Sequence, residues 1–324
     1  MTVGRQKPFD FGEAMIQLFR TSGGAPFAKR LWFWVTIPIA LSLIIAVPLM
    51  APHYTDYLVW SAGYMEAAMT GEQPDPDMFA EILPVLKQMI PGYVIMMLGM
   101  WIAAVMGEAA LHRKILLGTE TPGRPVRFGG DELRVMGAQL CVWGILLLIY
   151  IGGFVAAFAM MGLLGAAVGV IGAALGSFAI LAVLYFVIHY AVRLMPASAL
   201  SVKHGSLRVW SATKITKGRF WPLFGAFVLV YIGGWIVSMV ITQVGSLIVF
   251  GGNPAAEAMV PGGDITVIME DAARRIKNPL VILAGILCLV AYSALMSIWF
   301  LCLSGIGTYA VRQAEGEGIG GTFD

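Results

Sequence analysis

The chain of 324 residues is 59% hydrophobic and 12% charged, with a formal net charge of +2 and a mean hydropathy of +0.82. Soluble domains average about 25% charged residues, so this composition excludes a water-exposed globule and makes the bilayer the solvent. Three cysteines, Cys141, Cys288 and Cys302, lie in apolar runs without metal-type spacing and read as small hydrophobes.

Residues 9–20 form the first element. Phe11, Met15, Leu18 and Phe19 share one helical face, and Asp10, Glu13, Gln17 and Arg20 share the opposite one. The segment 1–30 is expected to be cytoplasmic and amphipathic, lying on the inner leaflet, with packing beneath the bundle as the alternative. The first apolar run, 31–51, ends Pro48-Leu49-Met50-Ala51 without a small-x-small site. It reads as a retained span, bent at Pro38 or Pro48, rather than a cleaved signal. An outer loop from Pro52 to Gln88 carries Tyr54, Tyr57, Trp60 and Tyr64, suited to the membrane interface, then a break at Pro74-Asp75-Pro76-Asp77. A second span follows at 89–111.

From Val135 to Val192 the chain runs 58 residues without Asp, Glu, Lys or Arg. One helix of that length would reach about 87 Å at about 1.5 Å per residue, against a hydrocarbon core of about 30 Å. It must fold back, and Met160-Met161-Gly162 is the expected turn between spans 136–160 and 163–190. Spans at 221–250 and 280–311 complete six. They flank a loop, Gly251 to Asn278, expected to hold a short helix opening at Asp264. A cytoplasmic tail, 312–324, ends the chain. The expected fold class is all-α: a polytopic integral membrane bundle of six transmembrane helices in three hairpins, N-in/C-in.

Orientation rests on the basic residues. With the N-terminus inside, the segments 1–30, 112–134, 193–220 and 312–324 hold 17 of the 21 Lys and Arg, and the outer loops hold Lys87, Arg274, Arg275 and Lys277. The positive-inside rule favours that arrangement, and the expected location is a bacterial inner membrane. An internal echo supports the hairpin organisation. Gly144 through Val155 reads GILLLIYIGGFV and Gly225 through Ile236 reads GAFVLVYIGGWI, with six identities at an offset of 81.

Three constellations stand out. Gly162, Gly165, Gly169, Gly172 and Gly176 recur at 3, 4, 3, 4 spacing, predicting a helix face without side chains that packs on a neighbouring helix of the same chain. A homodimer seam is the alternative. A basic loop carries Lys203, Arg208, Trp210, Lys214, Lys217 and Arg219, and no Asp or Glu occurs from Leu133 to Ala256. Lys203, Leu207, Trp210, Lys214, Lys217 and Trp221 are expected on one helical face, facing anionic phospholipid headgroups or a membrane partner; ordinary positive-inside topology would give the same residues without a ligand. Finally, Glu108 and His112 on the second span and His189 and Arg193 on the fourth are ionisable residues at the inner helix ends. Glu108 is expected to pair with Arg193 or Arg113; a shared metal is the alternative. No HExxH string, phosphate-cradling glycine loop, dinucleotide fingerprint or nucleic-acid motif is present. Gln139, Gln243 and Tyr150 read as scattered rather than as a polar pathway.

The stretch Tyr190-Ala191-Val192-Arg193-Leu194-Met195-Pro196-Ala197-Ser198-Ala199, with Trp210 through Gly225 (WSATKITKGRFWPLFG), carries an Arg-x-x-x-x-Pro helix end. It also carries a Trp-x-x-Thr-Lys-Gly-x-Phe-Trp-like entry into the next helix. It resembles the bacterial membrane proteins grouped with the membrane domain of glycerophosphoryl diester phosphodiesterases, and His112 through Gly118 (HRKILLG) is similar to uncharacterised relatives. That family's soluble domain, with its His-Arg and Glu-x-Asn metal motifs, has no counterpart here. The resemblance implies a stand-alone membrane module and transfers no catalytic residue. The expected function is a non-enzymatic membrane-organising or lipid- or partner-binding module, without cofactor, metal or nucleic acid. A transporter or permease subunit is the alternative, followed by an intramembrane hydrolase.

Overall fold

The computed structural model describes residues 10–19, 24–70, 76–120, 124–252, 274–275 and 277–315. The fold is all-α, and no strand occurs among the described residues. A short helix α1 (Phe11–Met15) precedes the long helices α2 (Gly24–Thr70), α3 (Pro76–Leu116), α4 (Gly130–Val168) and α5 (Val170–Leu194). Two short helices, α6 (Ala197–Lys203) and α7 (Ser211–Ile215), lead into α8 (Phe220–Phe250) and α9 (Pro279–Ala314). Six helices among the described residues are long and apolar enough to cross a membrane. The helix expected to open at Asp264 lies outside the described residues.

Contacts divide the chain into two compact units. The first comprises Met1–Leu31, Val105–Tyr231 and Phe300–Asp324, and the second Trp32–Ala104 and Ile232–Trp299. The first unit has a protein core of its own, built from Leu116, Ala138, Leu194, Leu200, Ala212 and Val311 with smaller neighbours. The opening of α4 belongs to that core: Glu132, Val135 and Ala138 are buried, and Val142 and Ile145 pack against it. Beyond them α4 turns outward-facing, with Leu147, Leu148 and Ile151 exposed. The remaining stretch, 146–168, is about 34 Å long at about 1.5 Å per residue, close to the hydrocarbon thickness of about 30 Å. The opposing arm, 170–192, has the same length.

The hairpin turns at Gly169, not at Met160-Met161-Gly162, which α4 traverses as helix. Gly169 has φ +66, a left-handed conformation costly for residues with a Cβ. The glycine series is therefore not one face of one helix. Gly162 and Gly165 lie on α4, and Gly172 and Gly176 return on α5. A Cβ on Gly172 would fall 1.9 Å from the Leu164 carbonyl oxygen, and one on Gly176 would fall 2.4 Å from Met161 Cα. Gly172 and Gly176 thus pack on α4 of the same chain, between antiparallel arms joined by one residue, whereas a Cβ on Gly162 would meet open space.

Other expectations are also revised. The outer loop at Pro52–Gln88 is largely helical: α2 continues through Pro38, Pro48 and Pro52 to Thr70, and α3 begins at Pro76. The aromatic spacing is itself helical, and Trp60 stacks on Tyr64 at 5.6 Å while Phe79 of α3 meets both edge-on. Neighbouring helices tolerate proline in such segments by satisfying the freed carbonyls. At the other end, α1 is short, capped by the Asp10 carboxylate accepting from Glu13 N–H at 3.0 Å. Ala14, Gln17 and Leu18 are buried while Phe19 is 51% exposed, so Gln17 and Phe19 exchange the places expected of them. The segment packs on α9, where Gly305 lets Ala14, Gln17 and Leu18 approach. The helical faces of Phe11, Met15 and Arg20 lie outside the described side chains.

Within the second unit, α2 and α9 meet through small polar groups. Thr36 Oγ1 and Ser297 Oγ are 2.7 Å apart, and Trp32 Nε1 donates to the Ala294 carbonyl at 2.9 Å. Gly99 abuts Ser42, as membrane interfaces prefer. The echo has a physical counterpart in each unit. In the first, Gly153 faces Val183, where a Cβ would come within 2.7 Å, while Gly152 faces open space. In the second, Gly234 faces Trp299 at 2.8 Å and Gly233 is open. The second glycine of each Tyr-Ile-Gly-Gly string is the packed one.

Gly176→Ala should destabilise the protein by about 1–3 kcal/mol through overpacking, whereas Gly162→Ala should be neutral within about 0.5 kcal/mol. Thermal unfolding of the two variants in detergent measures the difference, and equal midpoints would refute the close-packed hairpin.

Candidate functional site

One buried polar cluster in the first unit gathers side chains from four helices. Glu108 and His112 lie one turn apart on α3, Gln139 is on α4, Ser198 is in the first turn of α6, and Thr308 is on α9. Gly307 of α9 faces the Met195–Pro196 corner, where a Cβ would come 3.1 Å from the Met195 carbonyl. That close approach brings Thr308 and Ser198 to the same histidine. His112 is fully buried, and Nδ1 meets Thr308 Oγ1 at 2.9 Å. Its Nε2 meets Glu108 Oε1 at 3.1 Å and Ser198 Oγ at 3.3 Å. The Ser198 hydroxyl donates to Glu108 Oε1, and Gln139 Nε2 donates to Oε2 at 2.6 Å.

A carboxylate out of water is tolerated where donors surround it, and Glu108 has three. The arrangement differs from a hydrolytic triad, in which the carboxylate orients one imidazole nitrogen and the serine meets the other. Here serine and carboxylate share Nε2 and a threonine hydroxyl holds Nδ1. The Ser198 proton is directed to Glu108, so the chemistry suited to this geometry is cross-linking of helices by charge-assisted hydrogen bonds.

The expected partners of Glu108 are therefore corrected. Arg113 points to the other side of α3 and is buried with Glu132, its Nη1 donating to Oε1 at 2.5 Å, with Asp131 at 3.6 Å. Arg193 Nη2 donates to the Thr213 carbonyl at 2.5 Å. His189 stacks on Phe220 at 4.8 Å. Of the four ionisable residues expected together, Glu108 and His112 meet in this cluster, whereas Arg193 turns to Thr213 of α7 and His189 to Phe220 of α8. Gln139 is a partner of Glu108 rather than a scattered polar residue, and Ser198 and Thr308 went unanticipated. A serine or threonine hydroxyl normally bonds its own helix, as Thr308 Oγ1 also does to the Ser304 carbonyl at 2.8 Å, so neither gives a signal in sequence. Among the described residues no three His, Cys, Asp or Glu side chains gather as metal ligands would.

The basic loop is not one helical face. It comprises α6, a turn at His204–Ser206, α7 and a second turn at Thr216–Gly218, with Gly205 and Gly218 at φ +65 and +77. Lys203 faces inward to the end of α9, with Nζ 2.6 Å from Glu315 Oε2, and His204 Nε2 lies 3.0 Å from the other oxygen. Arg219 is half-buried, within electrostatic reach of Tyr309 along with Arg312 and Asp10. Leu207, Arg208, Trp210, Lys214, Lys217 and Trp221 remain exposed. The carboxylates Glu108, Glu120, Asp131, Glu132 and Glu315 are all engaged elsewhere, Glu120 by Arg30 and Lys114. Lys214 and Lys217 consequently make no ion pair among the described residues.

Comparison with protein-family models, with curated proteins and with solved structures found no match to this chain.

Replacing Glu108 by Ala should leave the donors of His112, Ser198 and Gln139 without an acceptor and lower stability by about 3 kcal/mol or more. Glu108→Gln should cost less, and differential scanning fluorimetry in detergent ranks the two. Just past α9, burial alone would raise the Glu315 carboxyl, but hydrogen bonds and charge from Lys203 and His204 outweigh it and hold the group below its ordinary value. A depressed carboxyl contributes stability above its unfolded value of about 4.3 and loses that contribution as pH falls through the folded value. Hydrogen exchange near residues 311–315 should therefore accelerate on acidification below about pH 4, and Glu315→Gln should remove that pH dependence.

Proposed function

We propose that the protein is a non-enzymatic, multi-pass module of a bacterial inner membrane, with both termini cytoplasmic, that binds anionic phospholipid through its basic face. The observation that carries this reading is the distribution of unneutralised cations. Carboxylates of the first unit neutralise Arg113, Lys114 and Lys203, while Arg208, Lys214 and Lys217 stay exposed beside Trp210 and Trp221, which are 61% and 72% exposed. Aromatic rings and long cationic side chains side by side suit the headgroup layer, where the ring takes the apolar boundary and the cation the phosphate. The placement of 17 of 21 Lys and Arg on one set of segments supports the cytoplasmic side. The resemblance over Tyr190–Gly225 to the membrane domain of glycerophosphoryl diester phosphodiesterases accords with a membrane module.

Each cation near an anionic surface contributes about 1 kcal/mol. Lys214→Gln with Lys217→Gln should thus weaken affinity for phosphatidylglycerol by about 30-fold, leaving affinity for phosphatidylcholine unchanged. Titration of the solubilised protein with either lipid in mixed micelles, followed by intrinsic tryptophan fluorescence, measures both. Equal affinity of the native protein for the two lipids would overturn the reading.

A further inference from the structure

Within the basic face, one guanidinium is held differently from the exposed lysines. Arg193 stands in the last turn of α5, whose carbonyl end favours a cation. Its backbone carbonyl accepts from Thr216 Oγ1 at 3.3 Å, and its Nη2 donates to the Thr213 carbonyl. Both contacts clamp it to the α7 turn, between the residues that flank Lys214 and Lys217. Guanidinium has five donors, and this one makes no ion pair among the described residues. Among the described residues its Nε is buried without a partner, as is Nδ1 of His189 one turn earlier on α5. The wall beside them is aromatic: His189 on Phe220, and Phe220 edge-on to Trp221 at 5.2 Å.

The depth of this group is set by the hairpin. The apolar arm 170–192 measures about 34 Å from Gly169, about one hydrocarbon thickness, so Arg193 is the first residue at headgroup level. An anion reaching it brings acyl chains past Trp221, which is 72% exposed at the start of α8. A soluble anion would have no use for that apolar wall.

We propose that Arg193, clamped between the end of α5 and the α7 turn and walled by His189, Phe220 and Trp221, is a single-site receptor for the phosphate of one anionic phospholipid. The inference rests on the reading of the basic face as lipid-binding and adds a stoichiometry, a residue and a ligand group. Lys214 and Lys217 supply attraction to any anionic surface. Arg193 supplies directional donors from the outer end of its guanidinium, Nη1 and the second hydrogen of Nη2, which together can meet a phosphate oxygen pair while Nη2 keeps its contact to the Thr213 carbonyl.

Native mass spectrometry of the full chain, released from micelles containing phosphatidylglycerol and phosphatidylcholine in equal amounts, tests it. The native protein should retain one phosphatidylglycerol at activation energies that strip all other lipid. Arg193→Gln should lower that retained fraction at least tenfold, and Arg193→Lys should give an intermediate value. Millimolar glycerol phosphate should not displace the lipid; displacement would identify a soluble phosphate ligand and overturn the lipid assignment. Retention by Arg193→Gln equal to the native protein would refute the Arg193 site, while the general reading would stand if Lys214→Gln with Lys217→Gln still lost its preference. No preference in the native protein would remove both. Because Arg193→Gln also loses the Thr213 contact and can misfold, a second measurement uses the native chain. A phosphatidylglycerol carrying a headgroup diazirine should crosslink to residues 185–221, and crosslinks confined to other segments would equally refute the site.

Discussion

A carboxylate withdrawn from water imposes strict terms on its surroundings, and Glu108 imposes them on four helices at once. Its two oxygens accept from a histidine, a serine and an amide carried by α3, α6 and α4, and the histidine is held in turn by a threonine of α9. In an apolar bundle most side chains slide past one another at little cost, since one methyl contact replaces another. Hydrogen bonds to a buried charge do not interchange in that way. The glycine at 307 and the corner at Met195–Pro196 are best understood as what permits the approach that those bonds require. The core around Leu116, Leu194 and Leu200 then fills the space that the polar cluster has defined.

Charge in the first unit divides into two populations with different physical roles. One consists of cations matched to carboxylates: Arg113 with Glu132, Lys114 and Arg30 with Glu120, Lys203 with Glu315. These tie loops to helix ends and leave little field outside. The other consists of cations on a stretch devoid of carboxylates, set among exposed tryptophans. Net charge of only +2 conceals this division, because the neutralising residues lie in other segments and act on other partners.

The number of spans was legible in the sequence because it follows from length against bilayer thickness, a constraint that side-chain detail does not alter. The helix hairpin within 135–192 was legible for the same reason. The position of its turn was not: Gly162 and Gly169 are equivalent in composition, and the choice between them depends on which register lets Gly172 and Gly176 lie against the opposing backbone. The opening of α4 looked like membrane span because an apolar side chain buried in protein and one buried in lipid are the same residue. The polar cluster was half legible. Glu108 and His112 announce themselves at helical spacing, whereas Ser198, Gln139 and Thr308 sit on other elements and acquire meaning only when the helices meet. Arg113 was misassigned because adjacent residues on a helix differ by about 100° in direction, and that rotation separates His112, facing the cluster, from Arg113, facing Glu132.

The one-residue turn at Gly169 bears on how the protein is made. Between the arms of α4 and α5 there is no hydrophilic stretch to be carried across the lipid, and neither arm offers a stopping point for a translocation channel before the other has emerged. Each backbone already pairs its own donors and acceptors within the helix, and the glycine contacts zip the two cylinders together. Such a unit can partition sideways into the bilayer as a preformed wedge.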